Sequence, residues 1–139
     1  MIQRRYGTKM VKAGLLALGV ALGGCSTLDT RTPEEIVADR AQQHLDALMA
    51  RDYEKAFGYT TPGYRAANTA RMYSSAYAGA GFWLGAKVDQ VVCTPAEAPV
   101  KCEVRAKVTY KAPRQKLDLE RILNHRWLNV DGVWYRYEG

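Results

Sequence analysis

Between Val100 and Tyr110 the chain alternates without interruption. Val100, Cys102, Val104, Ala106, Val108 and Tyr110 are separated by Lys101, Glu103, Arg105, Lys107 and Thr109. A period of two belongs to a strand with one buried and one wet face, because successive side chains point to opposite sides of the backbone. Such a strand needs partners along its edges and a layer over its apolar face. The flanking sequence offers the partners. Residues 86–93 read as a preceding strand, and Pro113 stops the central one, since proline cannot donate to a ladder. A third strand spans about 119–130. Asp131-Gly132, set between Val130 and Val133, is a favoured two-residue hairpin turn that leads into a last strand over 133–137.

The covering layer precedes the strands. Thr32 can cap a helix, Pro33 suits its first position, and Glu35 completes a capping box. The helix runs to about Ala50 and gathers Val37, Ala41, Leu45 and Leu48 on one stripe. Arg51-Asp52 breaks it, and a short helix follows from Tyr53 to Phe57. Residues 58–63 read as a turn, and residues from about Tyr64 to Tyr77 as one further helix. Helices followed by an antiparallel meander make an α+β fold. The expectation is one domain over 32–139, its N-terminal helices packed on a curved, four-stranded, cone-like sheet.

The order of elements resembles the nuclear-transport-factor-2-like (SnoaL-like) superfamily. The matching pieces are the long first helix, Arg51-Asp52-Tyr53-Glu54-Lys55-Ala56-Phe57, Thr61-Pro62-Gly63-Tyr64-Arg65, Arg126-Trp127-Leu128 and Asp131-Gly132-Val133-Trp134. The resemblance covers about residues 33–139 and implies a cone enclosing a pocket. A cystatin-like helix-on-sheet domain is the neighbouring alternative. Some members of the superfamily are isomerases or dehydratases and many only bind. No catalytic residue of theirs falls on a matching motif here.

A different signal occupies the N-terminus. Arg4, Arg5, Lys9 and Lys12 precede an apolar stretch from about Ala13 to Leu22, too short to cross a bilayer, which takes about 20 apolar residues. The stretch closes on Leu22-Gly23-Gly24-Cys25, which resembles a bacterial lipobox read by signal peptidase II. That resemblance implies removal of residues 1–24, lipid and palmitate-type acylation on Cys25, and a lipid-anchored envelope protein. Ser26, rather than aspartate, after the cysteine favours the outer membrane, with the domain facing the periplasm. Residues 25–31 would be a lipidated tether, whose six residues beyond Cys25 reach only about 20 Å. Cleavage leaves 115 residues with 16 basic and 14 acidic side chains, so the formal charge falls from +6 to +2. A nucleic-acid partner loses its electrostatic support.

With lipid on Cys25, Cys93 and Cys102 remain, and in an oxidising envelope they are expected to pair. They flank Thr94-Pro95-Ala96-Glu97-Ala98-Pro99, a loop that two prolines keep irregular. A bridge closing about ten residues contributes roughly 2–3 kcal/mol. Their spacing is not that of a redox or metal pair.

The remaining candidates each carry a structural and a functional reading. His44 sits beside the stripe of the first helix and His125 between Leu123 and Trp127 on the third strand. Each reads first as a core-edge histidine and second as a proton carrier or ligand in a pocket. No metal site or cofactor is expected. Tyr53, Tyr59, Tyr64, Tyr73 and Tyr77 suit either ordinary packing or a mixed pocket. Trp83, Trp127 and Trp134 suit core packing or a binding platform. The possible pocket is thus His44, Tyr53, Tyr73, Tyr77, Trp83 and Trp127. Lys101, Arg105, Lys107, Lys111, Arg114 and Lys116 form a basic face that is either solvated or turned to anionic lipid. The function expected is a membrane-anchored, non-enzymatic binding or accessory module with an envelope protein partner or a second copy of itself. One rival is an isomerase or dehydratase-like enzyme using a buried acid such as Asp89. Another is a purely structural envelope protein.

Overall fold

The computed structural model describes residues 29–112 and 116–139. The leader, Cys25 with its tether up to residue 28, Pro113 and Arg114 lie outside the described residues. Helix α1 spans Pro33–Met49, α2 Tyr53–Gly58, α3 Pro62–Ala67 and α4 Ala70–Tyr77, followed by a 3₁₀ turn over Ala78–Phe82. Strands β1 (Trp83–Thr94), β2 (Lys101–Lys111), β3 (Asp118–Val130) and β4 (Val133–Tyr137) form an antiparallel meander in the order β1-β2-β3-β4. The fold is α+β with an open four-stranded sheet. β1 and β4 are separate edges, so strand order alone does not establish a cone.

Local chemistry sets most boundaries. Thr32 accepts from the Glu35 amide while the Glu35 carboxylate accepts from the Thr32 amide at 2.7 Å, a complete capping box. At the other end Arg51 takes φ 58°, a left-handed conformation that turns the chain sharply into α2. The expected single helix over 64–77 is two helices. Asn68 is extended, and Thr69 accepts from the Met72 amide to start α4 afresh. The helical turn at Pro62 also replaces the end of the expected 58–63 turn. Asp131 and Gly132 both take positive φ (52° and 83°), as the hairpin requires, and Asn129 accepts from the Gly132 amide. β1 begins at Trp83, three residues before the expected start.

Register sorts the sheet into an inner and an outer face. Cys93, Cys102, Trp127 and Arg136 form one row across all four strands. The next rows are Val91, Val104 and His125, then Val88, Ala106 and Leu123, then Ala86, Val108 and Arg121, then Trp83, Tyr110 and Leu119. Cys93 and Cys102 are disulfide-bonded. Helix α1 covers the cysteine end: Val37 and Ala41 pack on Cys93, Cys102, Val104, Trp127 and Trp134. It is tied to both edges of the sheet. Gln42 donates to the Ala86 carbonyl and accepts from the Val88 amide, occupying part of the β1 edge, while Arg40 donates to the Trp134 carbonyl in β4. The β4 edge is met by Tyr59–Thr61: Arg136 donates to the Tyr59 carbonyl and Thr61 to the Arg136 carbonyl. A second cluster, Ala47, Leu48, Ala56, Tyr73 and Ala80, joins the helices to one another.

The outer face is charged and internally paired. A bulge between Val88 and Gln90 offsets Asp89, which lies 3.5 Å from Arg105 and 3.6 Å from Lys107. Glu103 pairs with Arg126 at 3.0 Å. Three basic side chains of the expected lipid-facing surface, Arg105, Lys107 and Lys101, thus have a carboxylate beside them. Asp89 is no buried acid.

Candidate functional site

Two places on the inner face hold chemistry: a sealed polar cluster beneath the helices and an open cleft at the far end of the sheet.

Helix spacing brings His44 of α1 over Tyr73 of α4, and strand parity turns His125, Trp127 and Arg136 up beneath them. His44 Nε2 lies 2.6 Å from the Tyr73 hydroxyl, and both side chains are fully buried. The His44 ring meets Tyr59, Tyr73, His125 and Trp127 edge-on at centroid separations of 6.1–6.5 Å. Tyr77 stacks on Tyr73, donates to Glu138 at 2.7 Å and accepts from Arg136 at 2.7 Å. Arg136 is also ion-paired with Glu138. Among the described residues His44 Nδ1, His125 Nδ1, Trp127 Nε1 and Arg136 Nε are buried without a protein partner. Each costs stability relative to a satisfied group.

Burial drives the proton chemistry of this cluster. It holds the His44 imidazolium far below its ordinary range, and the nearby Arg136 and His125 push the same way. Burial followed by Arg136 pushes His125 down to about 3. The Tyr73 and Tyr77 phenols are raised by burial against the opposing pull of Arg136. At neutral pH the cluster therefore holds two neutral imidazoles, two neutral phenols and one guanidinium–carboxylate pair. A general acid or base acts best with a pKa near the working pH, and neither histidine has one. The arrangement packs the core and fixes the helices.

The cleft lies where α1 ends and the 3₁₀ turn takes over. It encloses about 480 Å³ and is lined by Gly79, Phe82, Trp83, Val108, Tyr110, Lys111, Arg121 and Leu123. Its floor is the last rows of the inner face, and its wall is the 3₁₀ turn. Arg51 stacks over Phe82 at 5.2 Å from outside, crossing Gly81 so closely that a β-carbon there would run into its side chain. Phe82 remains 73% exposed.

The structure thus divides the sequence candidates. His44, Tyr73, Tyr77 and Trp127 meet in the sealed cluster, and Trp83 lines the cleft. Tyr53 joins neither: it packs on the helical cluster beside a shallow depression with Arg51, Asp52 and Arg71. Trp127 and Trp134 point inward and are buried. Arg121, Arg136 and Glu138 were not singled out from sequence. Parity held the signal for the first two, since Arg121 is in phase with Leu123 and Trp127, and Arg136 with Trp134. Among the described residues no three His, Cys, Asp or Glu side chains gather as a metal site, and no helix is long and apolar enough to cross a membrane.

No protein-family model and no curated protein matches the chain. Solved structures do. A SEC-C motif containing protein from Psychrobacter arcticus superposes with a TM-score of 0.58 at 15% identity, over 79% of this chain and 63% of that one. A SEC-C motif containing protein from Rhodopseudomonas palustris gives 0.52 at 16% identity, over 77% of this chain and 76% of that one. The chain spans less than two thirds of the first of these proteins. At such identities the likeness is one of fold. It overturns the resemblance to the nuclear-transport-factor-2-like superfamily: helices followed by a meander ending in a tryptophan-bearing hairpin are a pattern that helix-on-sheet domains of other kinds also satisfy.

Proposed function

We propose that this is a membrane-anchored protein of the cell envelope, held by lipid on Cys25, whose domain acts by binding in the open cleft rather than by catalysis. The chemistry of the cleft lining carries this reading. Phe82, Trp83, Val108, Tyr110 and Leu123 offer apolar surface, and Lys111 and Arg121 offer positive charge, with no carboxylate, imidazole or thiol among the lining residues. Small-molecule sites have this character, mostly apolar with a few polar groups, and hold about 300–1,000 Å³. A purely structural domain would fill such a space with its own side chains. The anchored location rests on the basic start, short apolar stretch and Leu22-Gly23-Gly24-Cys25. Ser26 favours the outer membrane with the domain facing the periplasm.

Phase partition of the expressed protein in detergent tests the anchor. The wild type is expected in the detergent phase with a mass of residues 25–139 plus diacylglycerol and acyl groups. A Cys25→Ser chain is expected to lose that modification. An unmodified Cys25 in the wild type would refute the anchored reading.

A further inference from the structure

The cleft has a polarity that narrows its ligand. On the inner-facing positions of β3 from Leu119 to Trp127, Arg121 alone carries a charge, and it lies in the row of Val108 and Ala86. An arginine pointing to the apolar side of a sheet normally answers a carboxylate, as Arg136 answers Glu138 three rows away. Arg121 has no such partner. All 14 acidic residues of the chain are among the described residues, and none comes within 4.0 Å of Arg121 or of Lys111, which lines the same cleft. On the outer face, by contrast, Arg105, Lys107 and Arg126 each have a carboxylate within 3.6 Å. Arg121 and Lys111 thus stand without a carboxylate at the cleft, beside Trp83, Val108, Tyr110 and Leu123.

We infer that the cleft takes a single-chain fatty acid anion, its hydrocarbon lying against Trp83, Val108, Tyr110 and Leu123 and its carboxylate held by Arg121 with Lys111 beside it. The guanidinium is a planar fork that matches a carboxylate in a two-point contact. The apolar floor supplies little to hydrogen-bond a sugar or a polar peptide, and no anionic side chain is present to hold a cation. The assignment deepens the binding reading above and rests on it. That reading also places the domain within about 20 Å of a bilayer, where single-chain acids partition.

Photo-crosslinking tests it on the full chain in its own membranes. The probes are a diazirine-bearing fatty acid and the corresponding diazirine-bearing alcohol, with labelled peptides identified by mass spectrometry and dodecanoate, dodecanol and dodecyl phosphate as competitors. The acid is expected to label the peptides that hold Phe82–Trp83 and residues 108–123. Dodecanoate should compete at about tenfold lower concentration than dodecanol, a difference of ~1.4 kcal/mol. Arg121→Gln should erase that advantage while leaving competition by dodecanol unchanged, which a merely structural arginine would not do. Equal competition by acid and alcohol in the wild type, or an unchanged preference in Arg121→Gln, overturns the anion assignment and leaves a neutral apolar site. Dodecyl phosphate winning over dodecanoate by tenfold overturns the fatty acid in favour of a phosphate head group. Absence of cleft labelling by either probe sinks the binding reading itself.

Discussion

The two ends of the inner sheet face are built from the same strands with the same alternation and have opposite fates. At the cysteine end the rows of Cys93, Cys102, Trp127 and Val104 are closed by Val37 and Ala41 of α1 and are buried. At the other end, among the described residues, the rows of Trp83, Tyr110 and Arg121 have only the 3₁₀ turn beside them and form a cleft. The alternation of a strand decides which face is apolar. The length and placement of the helix laid over it decide whether that apolar face is core or binding surface. Here α1 stops at Met49, the left-handed Arg51 turns the chain away, and none of the described helices covers the far rows.

Truncating one residue at each end should separate core from cleft most clearly. Trp127→Ala at the closed end is expected to cost about 3–5 kcal/mol in denaturant unfolding, as for large aromatic deletions in cores. Leu123→Ala, four residues away on the same strand and lining the cleft, should cost about 1 kcal/mol. Similar losses at both positions would mean that the cleft end is core after all. The disulfide gives a second contrast. Replacing Cys93 and Cys102 together by Ala should lower stability by about 2–3 kcal/mol, through the freed loop in the unfolded chain. Photolabelling of the cleft should be unaffected, because the bridge lies in the row furthest from it.

Acid acts on the closed end alone, with a smaller effect. His125 and His44 are neutral in the fold, with His125 pushed down to about 3 and His44 far below its ordinary range, whereas the unfolded chain takes up a proton near 6.5. Between those values the unfolded state binds more protons, so stability is fully present above about 6.5 and is lost as pH falls toward 3. Going from pH 7.5 to 5.5 should cost about 1.4 kcal/mol per histidine. His125→Phe is expected to remove one of the two shares, read as a halved slope of unfolding free energy against pH. An unchanged slope would show that His125 is not held neutral.

Much of the fold was legible because it is written in short-range chemistry. The alternation of 100–110, the Thr32–Glu35 box, the Asp131-Gly132 turn and the cysteine pair around a proline loop each act over a dozen residues or fewer. The division at Asn68-Thr69 was missed because the alanine-rich surroundings favour helix, and Thr69 signals a new start only through its bond to Met72. The meeting of His44 with His125 was not legible at all. It needs the β2–β3 register and the seating of α1 together, which no local spacing encodes. Asp89 reads as a candidate buried acid because the bulge that turns it toward Arg105 and Lys107 leaves no mark in the alternation. Arg121 is visible by parity, in phase with Leu123 and Trp127.

Amide hydrogen exchange along β2 and β3, with and without dodecanoate, reads the difference between the two ends of the sheet. The slowest exchange is expected in residues 101–106 and 125–128, with added slowing by the ligand confined to 108–112 and 119–123. Uniform protection along both strands in the free protein, or ligand-induced slowing at the cysteine end, would contradict it.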